Sequence, residues 1–178
     1  MVVELEMMKI DERASIPQYA HKGDMCMDLR VLIDDKDMKP MIMDDSVHEA
    51  DKVQDKVFVQ YIGDLAYVTL EPGQSLVFHT GLKCATSKGY GLKVHVRSST
   101  GIKKKLRLCN GTGIIDTSQY RGELLIGLHN FSTKARKIFH NDKVVQAEVV
   151  PVLDVVVKEV TSLSSTERGE GGIGSTKN

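Results

Sequence analysis

The chain has no tryptophan and only 5% aromatic residues. Its core must therefore come from branched aliphatic side chains, which favour strands. Cysteine is equally sparse. Cys26, Cys84 and Cys109 lie far apart and form no Cys-x-x-Cys pair, which argues against a disulfide framework or a thiolate metal site and for reduced thiols in a cytosolic protein. No sign of charge dominates, since Lys plus Arg number 24 and Asp plus Glu 24, so no global basic field points to nucleic acid or a membrane. No apolar stretch approaches the ~20 residues that span a bilayer. The opening Met-Val-Val-Glu-Leu-Glu lacks the basic region and apolar run of a signal peptide. The expectation is a cytoplasmic protein with neither nucleic-acid nor membrane partner.

What is present is a succession of short strand-like runs, and 178 residues suffice for one domain with its own core. Lys56 to Leu70 alternates loosely around a Gly63-Asp64 turn, and Glu71-Pro72-Gly73 breaks the chain. Ser75 to Thr80, Leu82 to Ala85, Gly91 to Val96, Leu124 to Asn130, Val144 to Val150 and Val152 to Val160 read as further strands. Many short strands at regular spacing predict an all-β, antiparallel sandwich or barrel over residues 1–161.

Two segments break the pattern. Residues 34–55 are polar and acidic and read as an insertion, with a capping box at Ser46-Val47-His48-Glu49 that starts a short helix. The paired acids there lack the alternate-residue spacing of a Ca²⁺ loop. Residues 162–178 are rich in glycine and serine and cannot order themselves. Such a tail is either a frayed end or an arm that folds over a polyphosphate through Arg168, Ser175 and Thr176.

The most informative segment is Asn110-Gly-Thr-Gly-Ile-Ile-Asp116, followed by Tyr120-Arg-Gly-Glu123. It reads as about one β-hairpin. Ile114 and Ile115 lead into Asp116, placing that carboxylate at a strand end rather than in open solvent, and glycines at 111 and 113 leave backbone groups uncovered for a flat ligand. Ordinary hairpin chemistry accounts for the same residues equally well. Arg97-Ser98-Ser99 follows a strand and sets a guanidinium beside two hydroxyls. Asp28 sits between apolar neighbours, Gln146 interrupts an apolar run, and Lys103-Lys104-Lys105 is a local basic cluster. Each has a bland reading, as a surface acid, a satisfied core amide or a solvated face.

Taken in order, these pieces resemble the trimeric all-β dUTPases. Gly23 to Leu29 resembles the first of that family's motifs, Arg97-Ser98-Ser99 the second, Asn110 to Glu123 the third, Asn141 to Gln146 the fourth and Arg168 to Thr176 the fifth. The resemblance implies a jelly-roll-like fold and a homotrimer whose three active sites each draw on all three subunits. It also implies hydrolysis of dUTP to dUMP and pyrophosphate, and Mg²⁺ as cofactor. Asp116 would activate the attacking water. Asn110 and the backbone at Gly113 would read uracil, and Tyr120 would pack under the deoxyribose. Arg97, Ser98, Ser99, Gln146 and Arg168, with Gly174, Ser175 and Thr176, would hold the triphosphate. Asp28 would act on the metal through water.

The chain departs from the family pattern at several places. Met25-Cys26 stands for Ala-Gly, Ser99 for Gly, and Asn141 for Gly, where Asn also tolerates positive φ. Ile173 occupies the position of an aromatic that stacks on uracil, which predicts either a weaker lid or a ring borrowed from elsewhere, such as Tyr90 or Phe139. Three residues rather than two separate Asp116 from Tyr120; unless a bulge or longer loop absorbs the extra one, Tyr120 would face the wrong side of its strand. Two other readings stand beside the hydrolase: a dCTP deaminase of the same superfamily, and a nucleotide-responsive regulator that binds a protein partner through residues 34–55. The insertion and the motif variants suit a bacterial or phage-encoded protein.

Overall fold

A computed structural model describes residues 2–33 and 59–172. The insertion with its capping box, and Ile173, Gly174, Ser175 and Thr176, lie outside the described residues.

Twelve strands carry the fold. They are β1 (Leu5–Lys9), β2 (Met27–Arg30), β3 (Gln60–Ile62), β4 (Leu65–Leu70), β5 (Ser75–Phe78), β6 (Leu82–Thr86) and β7 (Tyr90–Val96), then β8 (Leu106–Leu108), β9 (Gly113–Ile115), β10 (Ile126–Asn130), β11 (Arg136–Phe139) and β12 (Lys143–Pro151). They form four antiparallel sheets, ordered β1-β6, β5-β10-β8, β11-β4-β3 and β2-β12-β7-β9. The architecture is the jelly-roll-like all-β fold that the strand pattern and the resemblance predict. The helical element among the described residues is one π-helical turn, Ser99–Lys103.

One aliphatic cluster joins the sheets. Leu82 and Cys84 enter it from β6, Leu76, Phe78, Ile126 and Leu128 from the second sheet, Val68, Leu70 and Ile138 from the third, and Leu29, Leu92, Val145 and Ala147 from the fourth. Phe78 is the one aromatic in it, as the composition requires. Period-2 alternation shows directly in β10, where Ile126, Leu128 and Asn130 point inward while Gly127 and His129 do not. Burial raises the Cys84 thiol, and all three cysteines are free.

The Gly63-Asp64 and Glu71–Gly73 turns fall where expected, and Asn141 takes the positive φ of 67° read for it. Other expectations fail. The strand reading omits β1, β8 and β11, short segments that the structure pairs to β6, β10 and β4. Val152 to Val160 has the branched-aliphatic signature and forms no strand. β12 ends at Pro151, which has no N–H to extend the ladder, and Val152 N instead donates to Gly89 O at 2.8 Å.

Asn130 is the buried amide among the described residues, with no exposed surface. Its Nδ2 donates to Leu70 O (2.8 Å) and Lys134 O (2.9 Å), and its Oδ1 accepts from the Ser132 N–H and hydroxyl. The near-isosteric Asn130→Leu would strand these partners in the interior. It is expected to lower the unfolding free energy by about 3 kcal/mol, read by urea denaturation at fixed protein concentration. A Ser132→Ala control, which removes only the hydroxyl's share, is expected to lose about 1 kcal/mol.

Candidate active site

The sequence candidates gather at two ends of the β2-β12-β7-β9 sheet. At one end, Gln146 on β12 lies opposite Asp28 on β2 and His95 on β7. The register between β12 and β2 shifts between Lys143 and Val145, so Val144 is an extra residue. This bulge lets Val144 and Val145 both bury and carries Lys143 to the same outward face as Gln146, although three positions separate them. Without it the two side chains would point to opposite faces.

On that outward face Asp28 Oδ1 is 2.7 Å from Arg97 Nε, and Asp28 Oδ2 is 2.9 Å from Lys143 Nζ. The carboxylate is 11% exposed. The lysine approaches Oδ2 at ion-pair distance but off the direction of a hydrogen bond, and that oxygen accepts no well-aligned donor. Arg97 Nη1 also donates to Lys143 O at 3.2 Å. Ser98 opens the π-helical turn and is exposed with Ser99. A cavity of about 310 Å³ beside this cluster is lined by Ser15, Gln18, Asp28, Arg30 and Lys143.

With a cation against each oxygen, Asp28 as it stands does not fit a Mg²⁺ ligand. A metal water there would have to displace Lys143. Among the described residues no three His, Cys, Asp or Glu side chains gather as a metal cluster. The basic run beyond the π-helical turn splits: Lys104 Nζ pairs with Asp142 Oδ2 at 3.0 Å, while Lys103 and Lys105 are exposed.

The other end of the sheet carries Asp116. The segment Asn110–Glu123 is not a hairpin: β9 pairs with β7, whereas β8 before it and β10 after it pair with each other. Gly113 is buried, and a Cβ there would come within 3.0 Å of Val94 Cβ. Its missing side chain therefore serves packing against β7. Asn110 is exposed in the turn between β8 and β9.

Asp116 stands just past the end of β9, as read, but it is exposed rather than sheltered. Its C=O accepts from Gln119 N (2.8 Å) and Tyr120 N (2.7 Å), which closes 117–119 into a turn. The extra residue is thus absorbed in a loop, and Tyr120, outside any strand, escapes strand parity altogether. Its ring lies over Gly122, where a Cβ would overlap it, and Tyr120 Oη donates to Glu123 O at 3.0 Å. Asp116 shares a cavity of about 450 Å³ with Lys88, Tyr90, Ser118, Val152 and Asp154. Of the two rings considered as replacements for the missing aromatic, Tyr90 is therefore at the cavity. Phe139 instead packs against Tyr67, ring centroids 5.3 Å apart.

The two ends do not meet within one chain. Ile115 pairs with Leu92, which sets Asp116 level with Gly91, and Arg97 lies six residues further along β7. At about 3.3 Å per residue this is roughly 20 Å. Arg168 sits in an exposed turn of the tail, with Nε donating to Gly171 O at 2.9 Å.

Sequence reading missed Lys143, whose placement depends on a bulge that no local pattern marks. It also missed the side-chain role of Glu123. Glu123 Oε1 accepts from Thr80 N (3.1 Å) and Gly81 N (2.7 Å), and Oε2 lies 2.8 Å from His79 Nδ1. This carboxylate fastens the Tyr120 loop to the β5–β6 turn. Glu123→Ala is expected to speed amide hydrogen exchange at Thr80 and Gly81 by about tenfold or more, whereas Glu123→Gln, still able to accept both bonds, stays near the native rate.

A dUTPase family model matches residues 64–177. The deoxyuridine 5'-triphosphate nucleotidohydrolase of Trichodesmium erythraeum is 32% identical over 98% of this chain and 99% of its own length. That of Desulfotalea psychrophila is 42% identical over 61% of this chain and 71% of its own. A solved structure of the G164S mutant of the Staphylococcus bacteriophage 80alpha dUTPase with dUpNHpp superposes with a TM-score of 0.71, at 20% identity and 97% coverage of both chains. At that identity the superposition speaks for the fold. The family match and the full-length relatives speak for kinship, and on them this chain belongs to the dUTPase family.

Proposed function

We propose that the protein hydrolyses dUTP to dUMP and pyrophosphate in a homotrimer whose sites are shared between subunits. The carrying observation is the roughly 20 Å of strand between Asp116 and Arg97. One copy supplies the base end of a site, and another supplies the phosphate end. The tail supports the same reading. Leu153, Val155, Val156, Val157 and Leu163 are each at least 75% exposed, an apolar ribbon that a neighbouring copy would cover.

In the assembled site Asp116 takes a proton from water as the water oxygen bonds to the α-phosphorus. The bond from that phosphorus to the bridging oxygen breaks, and pyrophosphate leaves. Asn110 and the Gly113 backbone face the uracil edge, which differs from cytosine in offering an acceptor where cytosine offers a donor. The Tyr120 ring, held down by Gly122 and Glu123, supports the sugar. Arg97, Ser98, Ser99, Gln146 and the tail's Arg168, Gly174, Ser175 and Thr176 neutralise and position the triphosphate, which is where most of the catalysis of such reactions resides. Ile173 covers the base less fully than an aromatic would. Mg²⁺ bound with the nucleotide would supply further charge neutralisation there.

Pyrophosphate release from dUTP, dCTP, dTTP and UTP, with and without Mg²⁺, tests the substrate. dUTP is expected to dominate, and ammonia from dCTP without pyrophosphate from dUTP would overturn the reading in favour of a deaminase. Asp116→Asn is expected to lower kcat by about 10³-fold while leaving the trimer intact. Mixing Asp116→Asn with Arg97→Gln subunits tests the sharing. Random assembly leaves about a quarter of shared sites with both native side chains, whereas sites built within one chain would regain none.

A further inference from the structure

Asp116 is exposed, and no described residue hydrogen-bonds its carboxylate. Within this chain, where Asp116 sits is therefore set by its backbone, and that backbone enters a turn one residue longer than the family pattern. Left loose, such a turn would let the carboxylate wander. The residue after it prevents this. Thr117 has no exposed surface, and its hydroxyl meets both the Thr86 hydroxyl and, at 3.2 Å, Tyr90 O. Thr86 Oγ1 lies 3.0 Å from the same carbonyl.

Two hydroxyl protons thus serve three oxygens. Either both donate to Tyr90 O, or one donates there and the other bridges the two threonines. Backbone ties reinforce the triangle. Thr117 N donates to Ile115 O at 2.9 Å, and Thr117 O accepts from Arg121 Nη1 at 2.8 Å, a guanidinium that also holds Tyr120 O at 2.9 Å. The anchored carbonyl belongs to Tyr90, which lines the same cavity of about 450 Å³ as Asp116. One buried hydroxyl pair therefore ties the Asp116 turn to the start of the neighbouring strand β7.

We propose that Thr117 and Thr86 are positioning residues for the reaction, fixing Asp116 against the start of β7 at Tyr90 and so making the longer turn catalytically competent. This rests on the reading of Asp116 as the general base. A base displaced by even about 1 Å loses rate steeply while ground-state binding survives, so the effect belongs in kcat.

The test is steady-state dUTP hydrolysis by Thr117→Val, Thr117→Ser and Thr86→Val, with thermal unfolding and trimer assembly measured alongside. Valine keeps the shape and deletes the hydroxyl. Thr117→Val and Thr86→Val are each expected to lower kcat about tenfold with KM within about twofold, and Thr117→Ser to restore kcat. Native kcat in both valine variants would overturn the proposal. So would losses that merely track the folded fraction and that serine does not rescue. Should Thr117→Val fail to fold, Thr86→Val probes the same triangle from the β6 side. An Asp116→Asn enzyme that still turned over dUTP at the native rate would sink the general-base reading itself, a different outcome from any of these.

Discussion

The bulge in β12 is the constraint on which the Asp28–Arg97–Lys143 cluster, the phosphate end of the proposed site, depends. β12 pairs with β2 on one edge and β7 on the other, so neither edge is free to shift. The extra residue, Val144, lets two consecutive valines enter the core while returning Lys143 and Gln146 to the outer face. The burial of apolar surface thereby fixes the placement of charge. A half-buried Asp28 would be costly alone, but Arg97 and Lys143 both reach it, and the pairing offsets the loss of hydration. Moving any one of these side chains would require reopening the valine packing beneath.

The base end is built by a different means. Asp116 lies beyond the last paired residue of β9, so no ladder holds it. Its loop is fastened by side chains instead: Glu123 to the backbone of Thr80 and Gly81, Arg121 to the carbonyls of Thr117 and Tyr120, and Thr117 to Tyr90. Glycine contributes by absence, at Gly113 to admit Val94 and at Gly122 to admit the Tyr120 ring. On the proposed reading, a sheet end holds the groups that meet the triphosphate, while a tied loop holds those that meet base, sugar and water.

Much of this was legible where local chemistry is decisive. Gly63-Asp64 demanded a turn, Asn141 tolerated a positive φ, and the scarcity of aromatics implied an aliphatic core. The motif order identified most of the candidate residues. What stayed hidden depends on partners distant in sequence. The Asn110–Glu123 segment looks like a hairpin from its glycines, yet its one strand, β9, pairs with β7 rather than with the segment itself. Val152 to Val160 has ideal strand composition, but composition cannot say that β12 stops at Pro151. Nor could the extra residue before Tyr120 be judged from parity, because the turn removes that residue from any strand.

The two features that look least native in a single chain have one physical origin. A general base exposed to bulk water cannot hold a single water in line with a phosphorus, since solvent competes for every position around it. Five large apolar side chains of the tail exposed at 75% or more are likewise unstable in water, each worth about 1.5–3 kcal/mol once covered. Covering them would offset the entropy lost when the tail is ordered. The tail leaves β12 beside Asp116, with Val152 and Asp154 lining the same cavity, so the chain that needs covering begins where the base needs shelter. On the proposed reading, assembly is therefore not an accessory to catalysis: the free energy that seats the tail on a neighbouring copy is the same free energy that closes the site.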